Sequence, residues 1–283
     1  MQEHKYHPQT KAELKALVED LSINLGTIDT HKITDMSELF ARTKRQDFSG
    51  IETWNVSQVE NMSGMFLFAE YFNQNINSWD VSHVKAMDGM FSDAESFNQP
   101  LDKWNVSNVK DMSGMFLNAK SFNQNINSWN VSQVRNMGYM FEEAKSFNQP
   151  LDRWNVGRVE NMEDMFLNAS SFNQNINSWD VSKVESMSRM FLNASSFNQP
   201  LDKWDVSKVE DMFCMFCRAK SFNQPLDKWD VSKVRNMEHM FEGAESFNQN
   251  INAWDVSHIK DNNMIFMFRA SPLEKNPPQW FKK

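Results

Sequence analysis

Residues 101–125 read LDKWNVSNVKDMSGMFLNAKSFNQN, and the same phrase returns every 25 residues along the chain. Nine of the ten tryptophans mark the period: Trp54, Trp79, Trp104, Trp129, Trp154, Trp179, Trp204, Trp229 and Trp254. A fixed period of this size means one structural unit stacked on copies of itself. Within the phrase, Leu101, Trp104 and Val106 have the L-x-x-L-x-L spacing of a leucine-rich repeat strand. A strand over Lys103 to Ser107 would point Trp104 and Val106 one way and Lys103, Asn105 and Ser107 the other. Asp111 then reads as a helix N-cap, in a column that also holds Asn61, Asn136, Asn161, Ser186, Asp211 and Asn236. Met112, Met115, Phe116, Ala119 and Phe122 follow at offsets that mark one face of an α-helix. Asn123-Gln124 closes it, since Asn tolerates a left-handed backbone.

The Met and Phe columns read as core, because a cofactor site would occur once and these residues occur in every coil. Sixteen of the 20 Met fall in two columns, headed by Met62 and Met65. Strands stack about 4.8 Å apart and helices no closer than about 8–10 Å. The expected fold is therefore an α/β, curved, leucine-rich-repeat-like solenoid, with parallel strands on its concave face and short helices on its convex face.

The expected organisation is an N-terminal capping helix segment over 1–26, a repeat solenoid over 27–270 with a degenerate first coil, and a C-terminal cap or tail over 271–283. Thr10 and Glu13 form a capping-box pattern ahead of the apolar face Leu14, Leu17, Val18 and Leu21. In the last coil Asn262 replaces the first Met, and the apolar face shifts to Met264, Ile265 and Phe266. The tail is expected to lay Trp280 over that coil. The loop alternates between Asn-Ile-Asn-Ser and Pro-Leu-Asp-Lys/Arg, a trace of a two-coil unit that breaks at Pro225.

Composition removes several function classes. Net charge is -8 and there is no basic run, so a nucleic-acid partner is not expected. No stretch approaches the roughly 18 apolar residues of a membrane span. Cys214 and Cys217 cannot build a disulfide framework. The six His fall in different columns, and no phosphate-loop, zinc-protease or nucleophile-elbow motif is present. No catalytic residue, metal or cofactor is expected, and the chain reads as a non-enzyme.

The phrases MSGMFLNAKSFNQ (112–124) and LDKWDVSKVEDM (201–212) resemble the BspA-like bacterial surface protein repeats, which also occur in mycoplasma-type surface lipoproteins. The resemblance spans roughly residues 20 to 270. It implies a leucine-rich-repeat-like fold and protein interaction or adhesion at a bacterial surface, with an unidentified partner that is a host protein or a glycan. It implies a cell-surface or secreted location. The residues from Met1 onward carry no export signal or lipobox cysteine, so a cytoplasmic chain is the alternative.

Function is then sought where the copies differ or present outward rows. One outward column runs from Asn55 to Asp255 and becomes acidic at Asp180, Asp205, Asp230 and Asp255. Three residues on, a second column becomes basic at Lys183, Lys208 and Lys233. The pair reads as a zwitterionic stripe, and the two competing roles are a solubilising surface and a partner-binding one. The Asp/Asn column could equally bond nearby backbone, as such side chains do in turns. Phe213, Cys214 and Cys217 stand where other coils carry Ser, Gly or Leu, and Phe213 is the candidate contact there. The candidate partner-binding residues are these four Asp, three Lys and Phe213. The expected function is a protein-interaction scaffold or adhesin-type surface repeat protein, with a glycan-binding adhesin as the alternative.

Overall fold

The computed structural model describes residues 4–281. Residues 1–3 and 282–283, the outermost parts of the two terminal segments, lie outside the described residues. Among the described residues there is one α-helix, α1 (Lys11–Glu19), and there are four 3-10 helices: Leu25–Thr27, Ile51–Thr53, Asp261–Met264 and Pro272–Glu274. No strand forms. Among the described residues the β pairing is a row of isolated parallel bridges, chiefly Asp35 to Asn61 to Ala86 and so on to Asn236, one per coil. No described helix is long and apolar enough to cross a membrane.

The expected helix over Met112 to Phe122 is replaced by a string of turns. Met115, Leu117, Ala119 and Phe122 donate their N–H groups to the carbonyls of Met112, Gly114, Phe116 and Ala119, each three residues back. The N–H groups between them reach the next coil instead. Met112, Gly114, Phe116 and Asn118 donate to the carbonyls of Asn136, Gly138, Met140 and Glu142 at 2.7–3.1 Å. Every backbone donor from Met112 to Asn118 is thus paired, alternately within its coil and across to the next. An α-helix is also barred by conformation, because Gly114 and Asn118 have φ of 59° and 52°. A left-handed residue every fourth position cannot lie in a right-handed helix. The periodicity misled for a physical reason: a chain that turns every three to four residues brings offsets 0, 3, 4 and 7 to one side, as a helix does.

The expected strand fails differently. Trp104 and Val106 do point inward, at 4% and 1% exposure, while Lys103 and Asn105 are exposed. Yet this side of the coil is joined to its neighbours by side chains. The indole Nε1–H of Trp104 donates to the Ile76 carbonyl at 3.0 Å, and every tryptophan of the column makes the matching bond one coil back. Asn98 Oδ1 accepts from the N–H of Asn123 and from Nε2 of Gln124, both at 2.9 Å. Asn123-Gln124 is therefore a rung between coils, not a helix end.

The core is one continuous aromatic and Met column. Phe116 stacks on Phe122 at 3.9 Å within its coil and on Phe141 at 5.7 Å in the next, and Trp104 stacks on Trp129 at 6.4 Å. Such spacings leave no room for helices, which need about 8–10 Å between axes. The two layers whose mismatch would have curved the stack are both absent, so the leucine-rich-repeat-like description does not hold.

Helix α1 opens the chain. Thr10 Oγ1 accepts from the Glu13 N–H, Glu13 accepts from the Gln9 N–H, and Leu14 and Val18 are buried against the first coil. Leu17 is partly buried and Leu21 is 58% exposed. At the other end, Met237, Met240 and Phe241 are followed by Met264, Met267 and Phe268, 27 residues on instead of 25. Two extra residues are taken up in the 3-10 helix Asp261–Met264. Met264, Met267 and Phe268 fill the inward columns, so the sequence-derived face is corrected: Ile265 and Phe266 are 42% and 51% exposed.

Candidate interaction surface

The acidic row is first a set of turns. Oδ1 of Asp180, Asp205, Asp230 and Asp255 accepts the backbone N–H of Ser182, Ser207, Ser232 and Ser257 at 3.0–3.1 Å. Asn105 and Asn130 make the same bond in their coils. One carboxylate oxygen of each Asp is thus committed to local backbone, while the residues themselves are exposed. Hydrogen bonds from Ser182, Ser232 and Ser257 hold Asp180, Asp230 and Asp255 below the usual carboxylate range, with Lys183, Lys233 and His258 adding to the effect.

Lys183, Lys208 and Lys233 are exposed beside this row. No ion pair within 4.0 Å joins these lysines to the four Asp among the described residues. Close inter-coil pairs lie in other columns: Lys85 meets Glu60 at 2.8 Å, Arg135 meets Glu160 at 3.1 Å and Arg235 meets Glu210 at 3.2 Å in one, and Lys120 meets Glu95 at 2.7 Å in another. The stripe sets four carboxylates against three ammonium groups and is not zipped by direct contacts.

Phe213 is half-buried, its N–H accepted by Asp211 Oδ1 at 2.9 Å. Its ring meets His239 edge-on at 5.9 Å, and His239 in turn lies 5.3 Å from the exposed Phe266. Phe213 thereby begins an aromatic run toward the C-terminal end. Cys214 and Cys217 are free and buried. The hydrogen bond to Cys217 and burial push the Cys214 thiol up. Among the described residues no group of three His, Cys, Asp or Glu could hold a metal ion.

Three profile matches to one family, described as "Mycoplasma protein of unknown function, DUF285", cover residues 12–119, 96–202 and 174–280 in tandem. The chain belongs to the DUF285 family. The DUF285 matches span several 25-residue coils each and overlap, as expected when one unit recurs along the whole chain. No curated protein matches this DUF285 chain.

Two features escaped sequence reasoning. The first is a polar cluster on the turn side. Asp164, 2% exposed, receives Arg189 through Nε at 2.7 Å and Nη2 at 2.6 Å, and Arg189 also reaches Glu163 at 2.9 Å. Beside it, burial and the charges of Asp164 and Glu143 raise Glu142 to about 7. The second is a cavity of about 1090 Å3 at the C-terminal end, lined by Trp254, Val256, Ile259, Met264, Phe266 and Trp280 among others. The two-residue excess before Met264 was the available signal for it.

Proposed function

We propose that the chain is a non-enzymatic protein-interaction scaffold, of the adhesin-type surface repeat that the BspA-like resemblance implies. The supporting observation is the exposed acidic row. Asp180, Asp205, Asp230 and Asp255 stand on successive coils in one repeated geometry, each with a single oxygen fixed by a Ser N–H. Their second oxygens and the neighbouring Lys183, Lys208 and Lys233 offer a partner protein many weak contacts at a regular pitch. The backbone beneath is paired from coil to coil, so little order has to be gained on binding.

The test is the triple substitution Asp205→Asn, Asp230→Asn and Asp255→Asn. Asn already accepts the same Ser N–H in other coils, so the variant keeps its melting curve. Cross-linking pull-downs are expected to recover a partner with the parent chain and lose it with the variant. Binding to a defined glycan on an array, with no protein recovered, would overturn the proposal.

A further inference from the structure

We propose that the C-terminal end of the stack is a docking groove for an extended, apolar segment of a partner protein, which adds to it as half a coil. The argument starts from backbone accounting. In every coil from Glu38 to His239, the N–H at the first left-handed position and the N–H of the core Phe two residues later donate to the next coil. Gly89 and Phe91, for example, donate to the carbonyls of Ser113 and Met115 at 2.8 and 2.9 Å. In the last coil the corresponding residues are Phe266 and Phe268, and among the described residues their N–H groups have no acceptor. The last N–H of the row, Ala270, is capped by Glu274 Oε2 at 3.0 Å. Two donors two residues apart therefore face the cavity.

The tail supplies the other half of an extra coil. Trp280 stacks on Trp254 at 6.4 Å and donates Nε1–H to the Ile251 carbonyl at 2.9 Å, which continues the tryptophan ladder. The Gln279 N–H bonds Asn252 Oδ1 at 2.8 Å, as the Lys103 N–H bonds Asn77 Oδ1 at 3.0 Å inside the stack. The tail does not repeat the Val, Met and Phe half of a coil; there Phe281 packs edge-on against Phe268 at 4.9 Å and leaves the backbone edge beside it open. The cavity lies there, floored by the buried Val256, Ile259, Met264 and Phe268 and walled by the exposed Ile265 and Phe266. The groove is thus continuous with the interface that joins every coil to the next, and it asks for the same chemistry: carbonyls two residues apart with apolar side chains between. Peptides that add to an open backbone edge are recognised in this way.

A second copy of the chain fits poorly. The matching carbonyls would be those of Ser37 and Leu39 in the first coil, and that of Leu39 is already taken. Lys15 Nζ donates to the carbonyls of Leu39 at 2.8 Å and Glu38 at 3.1 Å, with α1 packed over the same end. Two C-terminal ends face to face would present donors to donors.

The probe is a synthetic peptide with the sequence of residues 106–119, VSNVKDMSGMFLNA, whose carbonyls at Ser113 and Met115 accept this pair of bonds inside the stack. Added to the full chain, it should bind saturably and slow amide exchange at Phe266 and Phe268 at least tenfold. A scrambled peptide should not. The variant Phe266→Asn removes one apolar wall at an exposed position, keeps a residue tolerant of φ 53°, and should weaken binding about tenfold. The variant Asp180→Asn, Asp205→Asn, Asp230→Asn alters the acidic row outside the groove and should leave peptide binding unchanged, which separates this site from the proposed scaffold surface. No binding at millimolar peptide, or binding with protection elsewhere, would overturn the proposal. So would self-association that protects Phe266 and Phe268 without peptide.

Discussion

Replacing Gly114 by Ala distinguishes the turn string from a helix by the sign of its effect. Gly114 has φ 59°, and a Cβ built on it would meet only Leu117 Cβ at 3.8 Å and Cδ1 at 3.9 Å, ordinary contact distances. Sterics between side chains therefore contribute almost nothing, and the cost is conformational. Holding an L-residue in the left-handed region costs about 1–2 kcal/mol. Ala also has fewer unfolded conformations to lose, which returns roughly 0.4–1 kcal/mol. The net expectation is a destabilisation of about 1 kcal/mol. Had Met112 to Phe122 been an α-helix, Gly114 would sit in its interior, and the same change would stabilise by about 0.8–1 kcal/mol. Urea denaturation followed by circular dichroism reads the difference as a fall or a rise in midpoint at unchanged slope. A midpoint that rises, or stays put, would refute the turn assignment for this column.

Glu142→Gln tests the turn-side cluster through pH. Its folded pKa of about 7 lies above the ordinary 4.5, so the stability it contributes is whole below about pH 4.5 and is lost as pH rises toward and past 7. Burial is the main cause; Asp164, Glu143 and Asp93 add to it and Arg189 opposes it. The variant should match the parent near pH 4 and exceed it by about 1–2 kcal/mol at pH 8, after a discount for partial solvent screening. An equal difference at both pH values would sink the argument. Trp154→Phe removes the indole bond to the Ile126 carbonyl, 3.0 Å long and buried, and leaves a gap in the stack. Calorimetry should register a loss of about 2–4 kcal/mol, and a loss under 1 would show that the indole bond is dispensable. Met112 and Met115 are fully buried, so they should resist oxidation in the native chain, whereas a chain oxidised while unfolded should fail to refold because sulfoxides are polar. Recovery of the native spectrum after verified oxidation would contradict this.

The residues that face inward were legible in the sequence. Trp104, Val106, Met112, Met115, Phe116 and Phe122 recur at a fixed period, and all are buried. The alternative turn role of the Asp/Asn column was legible as well, and Asp180 to Asp255 take it up. The secondary structure was not. Positions Tyr139, Asp164, Arg189, Cys214 and His239 are left-handed although none is Gly, so nothing in their side chains announces the turn that Gly114 only hints at.

The sequence by itself determined that the chain is a repeat, how long each unit is, and which side chains it buries, because burial depends on hydrophobicity and spacing alone. Only the tertiary structure decided how the backbone gets there. Four of the seven donors from Met112 to Asn118 are satisfied by the following coil, and a partner 24 residues away leaves no mark on local periodicity. The same fact placed the groove: Phe268 is a Phe like its counterparts, and it differs from them in that no described residue receives its N–H.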